Sequence, residues 1–191
     1  MSGPGGGAGG DDPPGEATMR KAPGPAHVPV PAERPFPDMP AGPLPEPLER
    51  FALVIELPVL WADQDAMGHV NNTVPVRWFE SARLAYLEQE GIDGLLAGAG
   101  LGPILAAVSC NFRRQLHYPD RVLVGITVAR VGRTSLTMEH VVWSRRLAAI
   151  SADGDSTVVA IDYGDGRPRP IPDPVRDAIA RLERRIIPRS R

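Results

Sequence analysis

From Leu48 onward the chain alternates between short apolar runs of period two and one long apolar stretch of helical period. The run Phe51-Ala52-Leu53-Val54-Ile55-Glu56-Leu57-Pro58-Val59-Leu60-Trp61 is short and partly β-branched, which predicts a strand over 51–61. The polar, turn-rich piece 62–72 cannot continue it. A helix is predicted over 73–90, with Asn72 suited to cap it and Pro75 inside its first turn. Val74, Val76, Trp78, Phe79, Leu84 and Tyr86, among others, cover most of its circumference. Arg77, Glu80, Ser81 and Glu88 leave only a narrow polar stripe, so this helix must be buried in the domain. Gly91 is a natural stop, and 94–102 reads as a glycine-rich loop.

Strands follow. One is predicted over 104–115, and 121–131 alternates at Val122, Val124, Ile126 and Val128. Gly132-Arg133 is a turn, and 134–145 alternates again at Leu136, Met138, His140 and Val142. A short strand is predicted over 157–163, and Asp173-Pro174 opens a terminal helix through about 186. Consecutive strands without intervening helices pair antiparallel, so one long apolar helix packed on such a sheet gives an α+β domain.

Composition adds a second region. The first 47 residues hold 13 Pro and 9 Gly and almost no aliphatic cluster, which predicts a disordered Pro/Gly-rich arm over 1–47. The rest, 48–191, is long enough for one core. A net charge of −2 gives no electrostatic footprint for nucleic acid. No apolar run approaches the ~20 residues needed to span a bilayer, and the N-terminus lacks the apolar core of a secretory signal. A single cysteine, Cys110, excludes an internal disulfide and a cysteine-rich zinc site. We therefore expect a soluble cytoplasmic protein with neither nucleic acid nor membrane as partner.

The richest segment for chemistry is Asp63-Gln64-Asp65-Ala66-Met67-Gly68-His69-Val70-Asn71-Asn72. It sets two carboxylates and an imidazole just ahead of a buried helix. The first N–H groups of that helix have no partners within it and carry the positive end of its dipole. A carbonyl oxygen gaining negative charge would be stabilised there, and a nearby carboxylate could attack the carbonyl or direct a water at it. The pair suits acyl transfer or hydrolysis, with Gly68 permitting a tight turn. The plainer alternative is that Asp63 and Asp65 satisfy turn amides. A metal set of Asp63, Asp65 and His69 would crowd three ligands on one turn with no companion cluster, so no metal is expected. Cys110 reads as an inert thiol in a strand, and His117 and His140 have no motif around them.

The run from Trp61 through Asn72, followed by Arg77-Trp78-Phe79-Glu80-Ser81-Ala82-Arg83, strongly resembles the 4-hydroxybenzoyl-CoA thioesterase-like acyl-CoA thioesterases of the hot-dog superfamily. The family pattern is D-x-D-x-x-G-H-V-N-N, then an aromatic helix carrying E-x-A-R. Asn111-Phe112-Arg113-Arg114-Gln115-Leu116-His117-Tyr118-Pro119-Asp120, Val131-Gly132-Arg133-Thr134-Ser135-Leu136 and Arg169-Pro170-Ile171-Pro172 are similar to its later pieces. The resemblance covers about 50–185 and implies a hot-dog fold, an antiparallel sheet wrapped around the long helix. It implies hydrolysis of an acyl-CoA substrate to free acid and coenzyme A, without a metal or organic cofactor. It also implies a homodimer with shared active sites, commonly paired again into a homotetramer. Asp65 would be the catalytic nucleophile or general base, the backbone N–H of Asn72 would polarise the carbonyl, and Gly68 would lie beside the acyl group. His69 and Asn71, on the same loop, are expected to meet the substrate, and Glu80 is a reserve catalytic carboxylate. Pro75 stands where the family usually has an aromatic residue, which changes the acyl pocket.

Arginine suits phosphate recognition, so Arg113, Arg114, Arg133 and Arg145 are candidates for coenzyme A, Arg133 first because it sits in a turn. Thr134 and Ser135 beside it could assist at the thioester. Two rival readings stay open at this stage: a non-catalytic module binding acyl-CoA or acyl-carrier protein, and a hot-dog enoyl-CoA hydratase.

Overall fold

The computed structural model describes residues 39–184. Seven strands form one antiparallel sheet: β1 (Leu53–Val59), β2 (Leu101–Val108), β3 (Asn111–Phe112), β4 (Asp120–Val131), β5 (Ser135–Ser144), β6 (Ala149–Asp162) and β7 (Arg167–Pro168). Neighbours run β1-β4-β5-β6-β2, with β3 and β7 also on β6. The sheet curls about the long helix α1 (Thr73–Glu88), and two shorter helices, α2 (Ile92–Gly98) and α3 (Asp173–Glu183), close the rest of the core. This is the hot-dog arrangement.

The core lies between α1 and the inward rows of the sheet. Trp78, Phe79 and Tyr86 pack with Val124, Ile126 and Met138 in one buried cluster. A second, smaller cluster sits on the outer face, where Leu48 and Phe51 cover Val54, Leu123 and Val141. Leu44 packs against that cluster, so the part of the expected arm nearest the domain is attached to it. The arm over 1–38 and the expected helix end at 186 lie outside the described residues. Among the described residues no helix is long and apolar enough to cross a membrane.

Four expectations change. The glycine-rich loop over 94–102 is instead largely α2, because Ile92 and Leu96, four residues apart, are both buried and outweigh the low helix propensity of glycine. The strand over 104–115 is two strands, β2 and β3, interrupted at Ser109 and Cys110. The strand over 157–163 is only the end of the 14-residue β6. Gly154 lies within the part of β6 that the expected strand omits. A Cβ there would lie 2.1 Å from the Ser109 carbonyl oxygen, so the glycine marks a close backbone crossing. On α1, Leu84 is 52% exposed and Val76 half-buried, in one stripe with Arg77 and Glu80, whereas Arg83 is buried.

Long-range polar contacts lock the layers. Glu183 of α3 accepts hydrogen bonds from Tyr86 Oη (2.8 Å), Thr127 Oγ1 (2.5 Å) and the Val128 N–H (2.6 Å), tying α3 to α1 and β4. His140 on β5 stacks on Phe79 with ring centroids 4.6 Å apart, and its Nε2 lies 2.7 Å from Ser156 Oγ. Burial, aided by the charge of Arg83, pushes the His140 pKa down to about 3.

Histidine in the unfolded chain takes up its proton near pH ~6.5. Folded His140 stays neutral until about pH 3, so the stability it contributes is full above ~6.5 and is lost as pH falls through that window. His140→Gln keeps a partner for Ser156 and removes the titration. Urea unfolding at a series of pH values should show a shallower acid-side loss of stability in this variant than in the parent.

Candidate active site

The connection from β1 to α1 folds back on itself, with Gln64 and Val70 forming an isolated bridge. Its two carboxylates have opposite surroundings. Asp63 is 3% exposed; its Oδ2 accepts from the Leu60 N–H (2.8 Å) and its Oδ1 from Arg77 Nη2. Asp63 therefore holds the loop to α1 through Arg77. Asp65 keeps 27% of its side chain exposed. Its Oδ1 accepts from the Met67 N–H (2.8 Å) and its Oδ2 from Asn71 Nδ2 (3.3 Å). The turn closes when the Gly68 N–H reaches the Asp65 carbonyl at 3.0 Å, with Gly68 at φ +77°. That left-handed φ requires the glycine; a Cβ would meet nothing within 4 Å.

The helix cap is one residue earlier than expected. Asn71, not Asn72, caps α1: its Oδ1 accepts from the Thr73 N–H (3.0 Å) and from Thr73 Oγ1 (2.8 Å). Asn72 is already helical in conformation, and among the described residues its N–H makes no hydrogen bond. That N–H sits at the positive end of α1.

A distant segment clamps the loop. The Val70 N–H donates to the Leu116 carbonyl (2.8 Å), His117 Nδ1–H to the Gly68 carbonyl (2.8 Å), and the Tyr118 N–H to Gln64 Oε1 (3.1 Å). These contacts join positions about fifty residues apart, and no motif around His117 points to them. Between loop and clamp lies a cavity of about 220 Å³, lined by His69, Asn72, Pro75, Phe112, Leu116 and Ser151 among others. His69 Nδ1–H donates to the Val70 carbonyl at 3.2 Å. Neither Phe112 nor Ser151 stood out as a site residue in the sequence. Pro75 forms part of the wall, as its unusual position suggested.

The remaining candidates are dispersed. Asp65, Gly68, His69, Asn71 and Asn72 share the loop. Asp65 does not itself line the cavity. Glu80 is exposed on α1, away from it. Arg133, Thr134 and Ser135 lie beyond the far end of β4, whose other end pairs Asp120 with Val59 beside the loop. At ~3.3 Å per residue that separation is on the order of 30 Å, so one chain does not bring them to Asp65. There the Arg133 carbonyl accepts from the Ile171 N–H and the Thr134 carbonyl from the Ala160 N–H. Arg113 is paired with Asp153 (2.5 and 3.1 Å) and Arg145 with Glu56 (2.9 and 3.0 Å); of the four candidate arginines, Arg113 and Arg114 line the cavity. Burial, then the charge of Asp153, pushes the Cys110 thiol up, which disfavours a thiolate. Among the described residues no three of His, Cys, Asp and Glu are grouped to hold a metal ion.

Comparison with known proteins agrees with this geometry. The family model described as "Thioesterase-like superfamily" matches residues 59–179, which span the loop, α1 and all strands from β2 to β7. A thioesterase of Thermus thermophilus, solved with coenzyme A and zinc, is 33% identical; the match covers 72% of this chain and 98% of that one, at a TM-score of 0.63. A Pseudomonas aeruginosa protein is 29% identical over 71% of this chain and 94% of its own, at a TM-score of 0.62. In sequence, an uncharacterised Bacillus subtilis protein is 23% identical over 90 residues, 47% of this chain and 60% of that protein.

The loop geometry predicts two graded effects on thermal unfolding. Gly68→Ala should destabilise by about 1 kcal/mol, from backbone strain alone. Asp63→Ala strips partners from the Leu60 N–H and Arg77 and should cost more, about 2 kcal/mol.

Proposed function

The chain belongs to the thioesterase-like superfamily, and on that footing we propose that it hydrolyses acyl-CoA thioesters to a free acid and coenzyme A. One observation supports this most. Of the two carboxylates on the loop, only Asp65 is open to solvent, and the loop that carries it ends at the unengaged N–H of Asn72. In the proposed reaction the thioester carbonyl oxygen accepts a hydrogen bond from the Asn72 N–H. Charge developing on that oxygen is stabilised by the helix dipole. The Asp65 carboxylate then attacks the carbonyl carbon, the C–S bond breaks, and coenzyme A leaves as thiolate; water hydrolyses the mixed anhydride. Alternatively Asp65 takes a proton from a water that attacks the same carbon, with the same products. Asn71 orients the Asp65 carboxylate, and Gly68 and His69 shape the approach. Glu80 is held in reserve.

The complete site is proposed to need two chains. The edge strand β2 and the adjoining β3 expose Ile104, Leu105, Val108 and Phe112, each at least 39% exposed. A row of apolar side chains on an open sheet edge favours pairing with a second copy. A homodimer through this edge would extend the cavity wall at Phe112. Arg133, Thr134 and Ser135 would enter the reaction only as residues of a partner chain. The assembly is proposed to continue as paired dimers, a homotetramer working in the cytoplasm.

Asp65→Asn retains the shape and, through its one amide oxygen, the Met67 contact, while removing the charge and the acceptor that Asn71 Nδ2 uses. Free thiol release from a panel of acyl-CoA esters should fall at least a hundredfold in a protein that still unfolds cooperatively, a few degrees below the parent at most. Undiminished release would transfer the role to Glu80, and tight coenzyme A binding without release by the parent would support a binding module instead. Separately, Ile104→Asp should halve the mass seen by sedimentation and abolish thiol release together; a monomeric parent would overturn the shared site.

A further inference from the structure

The cavity wall contains one polar group that nothing in the protein satisfies. Ser151 is 1% exposed and lines the cavity, and its Oγ is buried without a hydrogen-bond partner. Its backbone carbonyl is occupied, since it accepts both the Arg113 N–H (2.9 Å) and the Arg114 N–H (3.1 Å). The hydroxyl is therefore the free end of an otherwise engaged residue.

A register shift sets its direction. On β5 and β6, Val142 faces Ala152 and Trp143 faces Ile150, so Ser151 is the extra residue of a bulge. Both Ser151 and Ala152 are buried, where strict alternation would have turned one of them to the opposite face. A bulge re-aims a side chain in this way, and bulges are frequent beside active sites. The cavity wall that Ser151 shares sets the apolar Val70, Pro75, Phe112 and Leu116 beside polar residues that include Asn72 and Gln115. A buried hydroxyl left unpaired is unfavourable, so its retention here has to be met by something that enters the cavity. A plain hydrocarbon acyl group brings no hydrogen-bond partner to it, whereas an acyl group with its own oxygen does.

We propose that Ser151 is a specificity-determining residue whose hydroxyl pairs with a hydroxyl or oxo oxygen on the acyl group. The preferred substrates are then oxygenated acyl esters of coenzyme A rather than plain hydrocarbon ones. This rests on the acyl-CoA hydrolase reading given above.

The test compares matched pairs, butyryl-CoA and benzoyl-CoA each against hydroxylated counterparts, with parent, Ser151→Ala and Ser151→Thr proteins. Two readouts are taken: kcat/KM for thiol release, and the Kd of the corresponding non-hydrolysable thioethers. The parent should prefer at least one hydroxylated member about tenfold. Ser151→Ala should lose that preference by acting on the hydroxylated ligand alone, with its unfolding temperature unchanged or raised, since it removes an unpaired buried hydroxyl. Ser151→Thr, which keeps the hydroxyl, should retain the preference. A parent without preference, or a preference that survives in Ser151→Ala, overturns the proposal. A preference in Kd that Ser151→Ala abolishes, with no thiol release from any ester, upholds Ser151 as the reader of the acyl group and overturns hydrolysis.

Discussion

The burial of α1 is the constraint that shapes every other part of the molecule. A helix apolar over most of its surface is unstable in water, and a single flat sheet covers only one side of it. Here the sheet curls about it and α2 and α3 close what remains, so that Phe79, Ala82 and Tyr86 reach essentially zero exposure. A helix held so firmly has a fixed N-terminus. The free N–H of Asn72 is therefore a fixed feature of the core's edge and not of a mobile loop end, which is what a preorganised hydrogen-bond donor requires.

The loop ahead of α1 inherits this rigidity. Two carboxylates two residues apart divide the work because the chain turns sharply at Gly68 and bridges Gln64 to Val70. Asp63 is turned inward and consumed by structure: the Leu60 N–H and Arg77 hold it. Asp65 is turned outward, with its oxygens steadied by Met67 and Asn71 and still open to solvent. The clamp from Leu116 to Tyr118 then fixes the loop from outside. At Ser151 a bulge interrupts regular pairing between β5 and β6 and leaves a buried hydroxyl without a partner. A site made this way combines a helix terminus, a turn and a sheet irregularity, three places where backbone groups are left unpaired by the regular elements themselves.

Much of this was legible in the residues. Clean alternation at Val122, Val124, Ile126 and Val128, and at Leu136, Met138, His140 and Val142, located β4 and β5 because a half-buried strand has period two. The apolar circumference of α1 located the central helix, and the motif from Asp63 to Asn72 located the loop. Reading failed where burial overrode local preference. Ile92 and Leu96 made α2 from a segment with helix-breaking glycines, and Gly154 sat mid-strand because another backbone crosses it.

Local periodicity and one contiguous motif were enough to set the antiparallel α+β class, the buried helix and the loop that carries Asp65. The folded chain was needed to show which carboxylate is buried, that Asn71 caps α1 in place of Asn72, and that His117 and Ser151 belong beside the loop. It was also needed to place Arg133, Thr134 and Ser135 at the other end of the sheet from Asp65. The cause is the same in each case. Exposure and partnership depend on contacts between positions tens of residues apart, and those contacts exist only once the sheet has closed around α1.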